Sequence, residues 1–142
     1  MSQVVVDASL ALAWCFPDEA SDYADAVLVA LEGKTMLVPC VWSLEIANAL
    51  LVGERRQRLN EAEIKQFTTL LESLSLVQDT RAVAKHVHDV LPLARTHGLS
   101  AYDAAYLELS IRHSAPLATL DAKLQNAAKF AGVTLFEEQP RK

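Results

Sequence analysis

Val4-Val5-Val6-Asp7-Ala8-Ser9 decides how this sequence is read. Three β-branched residues in a row suit a short strand buried on both faces, because branching at Cβ favours extended backbone and leaves no polar side to meet water. The carboxylate of Asp7 follows where that strand must end. A helix over about 9–16 comes next, closed by Pro17, which has no amide hydrogen to continue the ladder. Strand, acid, helix is the opening of a β-α-β unit.

The alternation continues along the chain. Ala24, Val27, Leu28 and Leu31 recur at three- and four-residue spacing over 18–32, an apolar helical face that Gly33 ends. Residues 35–38 read as a second strand, stopped by Pro39. Ile46, Ala49, Leu50 and Gly53 mark a helix over 42–56, and Ile64, Phe67, Leu70, Leu71 and Leu74 mark another over 61–74. Leu76-Val77 is a short third strand. A helix over 81–96 contains Pro92, which predicts a kink or break there, and Gly98 ends it. Ser100 opens a helix to about 113, 117–120 is a strand after Pro116, 122–131 is helical, and 133–136 is the last strand. Strands separated by helices imply right-handed parallel crossovers. The expected class is α/β, a three-layer α/β/α arrangement around a central, mainly parallel sheet of about five short strands.

No repeat, low-complexity tract or linker interrupts the pattern, so 1–142 reads as a single domain. A chain of 142 residues buries roughly two-thirds of its unfolded surface, and 51% apolar with 22% charged residues excludes a disordered chain. No apolar run approaches the ~20 residues that span a bilayer, and the N-terminus has neither the basic start nor the length of a secretory signal. Cys15 and Cys40 stand alone, without CxxC or Cys/His spacing, which points to reduced thiols in a cytoplasmic protein and away from zinc. His86 and His88, two apart, point to different helix faces, and neither they nor His97 and His113 show metal spacing.

In parallel α/β sheets the functional crevice lies beyond the C-terminal strand ends. Asp7 and Asp121 end the first and fourth strands, while Glu45 and Asp103 fall in the first turns of the helices at 42 and 100. Each acid alone has a second explanation, since carboxylates at helix starts cap exposed amides, and Ser100-Ala101-Tyr102-Asp103 has the spacing of a capping box. Taken together they would repel by ~4 kcal/mol per pair at 4 Å and an effective dielectric of about 20. Such a group holds protons or a cation, and oxygen donors alone suit Mg²⁺ or Mn²⁺. The net charge of −5 argues at first sight against a nucleic-acid partner, but setting the four acids aside leaves −1. The main basic cluster is Gly53-Glu54-Arg55-Arg56-Gln57-Arg58, either a solvated helix end or, through Arg55 and Arg56, a contact to phosphates.

Val4 to Ser9, residues 39–51 around Glu45-Ile46-Ala47-Asn48-Ala49-Leu50, Ser100-Ala101-Tyr102-Asp103-Ala104-Ala105-Tyr106-Leu107 and Pro116-Leu117-Ala118-Thr119-Leu120-Asp121 together resemble PIN domains. More narrowly they resemble the VapC toxins of bacterial and archaeal toxin-antitoxin pairs, in order and spacing over nearly the whole chain. That resemblance implies a PIN-like fold and a metal-dependent endoribonuclease whose catalytic acids are Asp7, Glu45, Asp103 and Asp121. Ser9 and Thr119 occupy the family's usual hydroxyl positions, where they would orient carboxylates or water. On this reading Asp7 and Asp103 hold Mg²⁺ or Mn²⁺ most directly, while Glu45 and Asp121 complete the site or position the attacking water. The resemblance also implies RNA as substrate, an antitoxin segment lying in an apolar groove, and a homodimer. Asn48, one turn after Glu45, is expected to bond to backbone. Three other readings stay open: a DNA-directed nuclease, a catalytically inactive PIN-like binding module whose acids are caps, and a receiver-type phosphorylation domain using Asp79, for which the usual acid pair is missing.

Overall fold

The computed structural model describes residues 2–137. The valine run forms β1 (Gln3–Val6), with Val4, Val5 and Val6 all buried. Three more strands join it: β2 (Thr35–Val38), β3 (Leu76–Gln78) and β4 (Leu117–Ala118), in the order β3-β2-β1-β4 with every pairing parallel. Successive crossovers move outward from β1 through β2 to β3, and the next jumps back to the far side of β1. The direction therefore reverses between β1 and β4, which opens a crevice beyond their C-terminal ends.

The helices are α1 (Ala8–Leu12), α2 (Asp22–Ala30), α3 (Trp42–Arg55), α4 (Glu61–Ser73), α5 (Val83–His97), α6 (Ala101–His113) and α7 (Ala122–Phe130). Right-handed crossovers put α1 to α4 on one face of the sheet and α5 to α7 on the other, completing the three layers. The core is one cluster of strand valines, Leu10, Met36 and Trp42 with the inner face of α6, where Ala104 to Ser110 are all buried. Opposite the sheet, buried Glu108 accepts from Arg81 at 3.1 Å and from Arg112 at 2.8 Å, and Arg112 reaches Asp79 at 2.6 Å, so α6 is clamped to the chain leaving β3.

Five expectations are corrected. The stretch 133–136 is a single parallel bridge, Leu117 to Leu135, and among the described residues the sheet has four strands. Leu117 spends both backbone groups there, accepting from Phe136 and donating to Thr134, while the Thr119 carbonyl accepts from Gln125 Nε2 at 2.8 Å. β4 itself is two residues long, Leu117–Ala118, where 117–120 was expected. The first helix stops at Leu12, after which the amides of Ala13, Trp14 and Cys15 bond three residues back as a tightened turn, and a 3-10 turn fills Pro17–Glu19. The second begins only at Asp22 because the Ser21 hydroxyl caps it, accepting from Ala24 N–H. Finally, of the kink or break expected at Pro92 the break is absent: α5 runs through it, Pro92 lies on the exposed side, and Gly98 at φ 62° closes the helix.

Phe16 fixes how α1 meets α3. Its ring lies under Gly53, where an added Cβ would stand 2.9 Å from two ring carbons, and the Arg58 guanidinium covers it at 4.3 Å. Alanine normally stabilises a helix interior over glycine by about 1 kcal/mol. Here Gly53→Ala is expected to lower stability by about 1–3 kcal/mol, since overpacking outweighs propensity. Chemical denaturation of the two proteins measures the sign, and a stabilised variant contradicts this packing.

Candidate active site

Four carboxylates arrive at the C-terminal edge of the sheet from four elements. Asp7 follows β1 and caps α1, its Oδ1 accepting from Leu10 N–H at 2.9 Å and from Ser9 Oγ at 2.8 Å. Its Oδ2 accepts from the Thr119 hydroxyl, which in turn accepts from Asp121 N–H at 3.0 Å. Thr119, 1% exposed, thereby stitches the ends of β1 and β4 together across the point where the strand order reverses. Asp121 caps α7 by accepting from Lys123 N–H at 2.9 Å. Glu45 lies in the first turn of α3 and Asp103 in the first turn of α6. Only half of the capping box at Ser100 is made: its hydroxyl accepts from Asp103 N–H at 3.1 Å, and among the described residues no bond returns from Asp103 to the Ser100 amide.

The acids sense one another. Asp7, 5% exposed, has its carboxyl held above the usual carboxylate range, chiefly by burial; bonds from Thr119, Leu10 and Ser9 pull it down and the charge of Asp121 pushes it up. Glu45 is raised by burial first, with a lowering bond from Tyr106 and repulsion from Asp103 and Asp7. Asp103 is raised by burial and then by Asp121, against smaller help from Ser100 and Lys123. Repulsion thus links all four into one electrostatic unit. Among the described residues no three acidic, histidine or cysteine side chains close tightly enough to enclose an ion, as expected where like charges push apart. The donor set suits a hard divalent cation, because it offers carboxylate oxygens only and its raised carboxyls are relieved by positive charge.

Tyr106 escaped the sequence reading. Its hydroxyl donates to Glu45 Oε1 at 2.6 Å and accepts from Ala8 N–H at 3.3 Å. The available signal was its position three residues after Asp103, on the same face of the helix. Asn48, expected to bond to backbone, is exposed and makes no hydrogen bond among the described residues. Arg55 and Arg56 lie at the far end of α3, about 15 Å along its axis from Glu45. Arg58 of that cluster is committed to Asp18 and Glu19 at 2.9 and 3.0 Å. Asp79 is paired with Arg112, whose guanidinium holds its carboxyl below the usual range, so it is not an open acceptor for phosphorylation.

A parallel sheet with carboxylates gathered at its switch point defines a class of nuclease-like α/β domain, and residues 4–130 match the PIN domain model. The chain belongs to the PIN-domain family. It is 35% identical over 129 residues to ribonuclease VapC3 of Pyrobaculum aerophilum, covering 90% of this chain and 95% of that one. Two solved structures share the fold. The crystal structure of PAE2754 from Pyrobaculum aerophilum matches with a TM-score of 0.64 and 24% identity, covering 89% of this chain and 79% of the other. That of FitAcB from Neisseria gonorrhoeae matches with a TM-score of 0.60 and 19% identity, covering 95% and 97%.

The raised carboxyls bind protons more tightly in the folded chain than in the unfolded one. Their stabilising contribution is therefore present below about pH 4 and lost as pH rises through the raised values. Asp103→Asn removes one charge from the unit, so at pH 7 without divalent metal it is expected to melt higher, by about 2–4 °C for each kcal/mol of repulsion relieved. The gain should shrink toward pH 4 and in millimolar Mn²⁺. Thermal melts across that range test it, and a variant that melts lower at pH 7 contradicts convergence of the four acids.

Proposed function

We propose that this chain is a divalent-metal-dependent endoribonuclease, the toxin of a type II toxin-antitoxin pair. The observation that carries the reading is the coupling of four carboxylates from four elements at the switch point, three of them held above their ordinary range. Family membership and the ribonuclease relative, aligned over nearly the full length of both chains, support it.

Asp7 and Asp103 would hold Mg²⁺ or Mn²⁺, with Asp121 beside them. When bound, such an ion lowers the pKa of water and neutralises charge on a phosphodiester. The protein's own work is positioning. Ser9, Leu10 N–H and Thr119 hold the Asp7 carboxylate in one orientation, so no reorganisation is needed at the moment of reaction. Glu45, raised and half-buried, keeps Oε2 available to accept a proton from the attacking water. An RNA strand running along α3 brings later phosphates to Arg55 and Arg56, both exposed.

Two surfaces support the partners. Between the turn after α1 and α4 a cavity of about 290 Å³ is lined by Trp14, Cys15, Pro17, Phe67 and Leu70 with Glu63 and Gln66 among them, a mixed lining that suits an amphipathic antitoxin segment. On the other layer Val83, Val87 and Leu91 repeat every four residues along α5, Val83 81% exposed, beside Tyr102 of α6, and this face suits a second copy of the chain. No helix among the described residues is long and apolar enough to cross a membrane, and a toxin that meets RNA and its antitoxin works in the cytoplasm.

Asp7→Asn is expected to reduce cleavage of single-stranded RNA by at least 10²-fold, the scale seen on removing one preorganised electrostatic group, with an unchanged circular dichroism spectrum. A strand of the same sequence in DNA should resist cleavage. Undiminished cleavage by the variant would overturn the site, and equal cleavage of DNA would favour a DNA-directed nuclease. In calorimetry, Mn²⁺ binding that is indifferent to Asp103→Ala would favour a binding module.

A further inference from the structure

Among the buried polar groups that the proposed chemistry leaves unused, the Tyr106 hydroxyl is the best placed. Tyr106 is 1% exposed in the middle of α6, and its ring belongs to the core. A tyrosine there reads first as a space-filler whose hydroxyl has found a partner. Its partners argue for more. The hydroxyl donates to Glu45 Oε1 at 2.6 Å, the short range of a charge-assisted bond, and accepts at 3.3 Å from the amide of Ala8, the residue next to Asp7. Tyr106 also stands three residues after Asp103 on one helical face. A single side chain thus touches one acid, Glu45, and the residue beside a second, Asp7, from the helix that carries a third, and the Tyr106 contact is the side-chain hydrogen bond Glu45 makes among the described residues.

Geometry gives the contact its meaning. Glu45 sits on α3, in one outer layer, while Tyr106 comes from α6 in the other. Their bond passes the end of β1, so it sets the distance from Glu45 to Asp7 across the sheet edge. A glutamate has three side-chain torsions, and its placement without that bond would be left to repulsion from Asp103 and Asp7, which drives it outward. The Ala8 amide bond holds the hydroxyl itself, so the tie is anchored to the same turn that fixes Asp7.

We propose that Tyr106 is a positioning residue for the acid site, holding Glu45 against its neighbours' repulsion so that it faces the edge where Asp7 and Asp103 would hold the cation. The proposal rests on the acid-site reading above, and its test separates the two. Tyr106→Phe keeps the ring and its volume, and Glu45→Gln approaches the same bond from the other end. Outer-shell partners of metal ligands typically contribute 10–100-fold to affinity or activity. The expected result for Tyr106→Phe is a folded protein by circular dichroism whose Mn²⁺ dissociation constant, measured by calorimetry, rises about 10-fold. Its kcat on single-stranded RNA should fall 10- to 100-fold at unchanged KM. In the Glu45→Gln background the same change should do almost nothing further to Mn²⁺ affinity, because the partner charge is already gone.

A purely structural Tyr106 gives the opposite pattern, in which the variant melts lower but keeps Mn²⁺ affinity and kcat, or its effects add fully to those of Glu45→Gln. Either result overturns the proposal. Should Asp7→Asn also bind Mn²⁺ and cleave RNA like the parent, the acid site itself has failed. Should Asp7→Asn be inert while Tyr106→Phe is normal in both assays, only the role of Tyr106 has failed.

Discussion

A carboxylate almost sealed at the end of a central strand is the constraint around which this molecule is arranged. Burying an ionised group without partners costs several kcal/mol, and Asp7 has only 5% of its surface left to water. A carboxylate offers about four lone-pair sites, and donors from Leu10, Ser9 and Thr119 occupy three of them. All three donors are neutral. They satisfy the oxygens without cancelling the charge, and the remaining charge is what the other acids feel.

That distinction resolves the competition between helix capping and chemistry. Asp7 and Asp121 do cap helices, and Ser100 caps the helix of Asp103. Capping uses amide donors at the start of each helix, while the macrodipole there favours negative charge. The helix starts therefore reduce the penalty of gathering four acids at one edge. Most positive charge lies elsewhere. Arg58 stacks on Phe16 and pairs with Asp18 and Glu19, and Arg81 and Arg112 surround Glu108. These three arginines hold elements together and leave the acid edge its field.

The parallel sheet and the acids were legible because both depend on local pattern. A β-branched run, proline and glycine stops and three- and four-residue spacing locate the elements, and strand ends locate Asp7 and Asp121. What stayed hidden depends on side chains reaching across the fold. The apolar stretch 133–136 pairs with β4 only through the single bridge from Leu117 to Leu135, and no sequence period records how many ladder bonds a stretch finds. Pro92 suggested a kink or a break, and on the exposed side of α5 it leaves the helix unbroken. Tyr106 sits among alanines and leucines and so resembles core; its role depends on Glu45, 61 residues earlier. Arg55 and Arg56 were read as a solvated helix end or a phosphate contact, and α3 carries them about three turns from Glu45.

The bond from Thr119 to Asp7 joins residues 112 positions apart, and this long reach sets a timetable. A ribosome adding roughly 5–20 residues each second releases β1 and Asp7 well before β4, Thr119 and Asp121. Closing so wide a loop also makes this the slow contact of the fold. Every nascent or truncated chain ending before β4 lacks both a clasp for Asp7 and one of its four acids. The acid edge closes only once Thr119 and Asp121 have followed Asp7 out, so a chain cut short of β4 folds its first strand around a carboxylate that nothing yet holds from the far side.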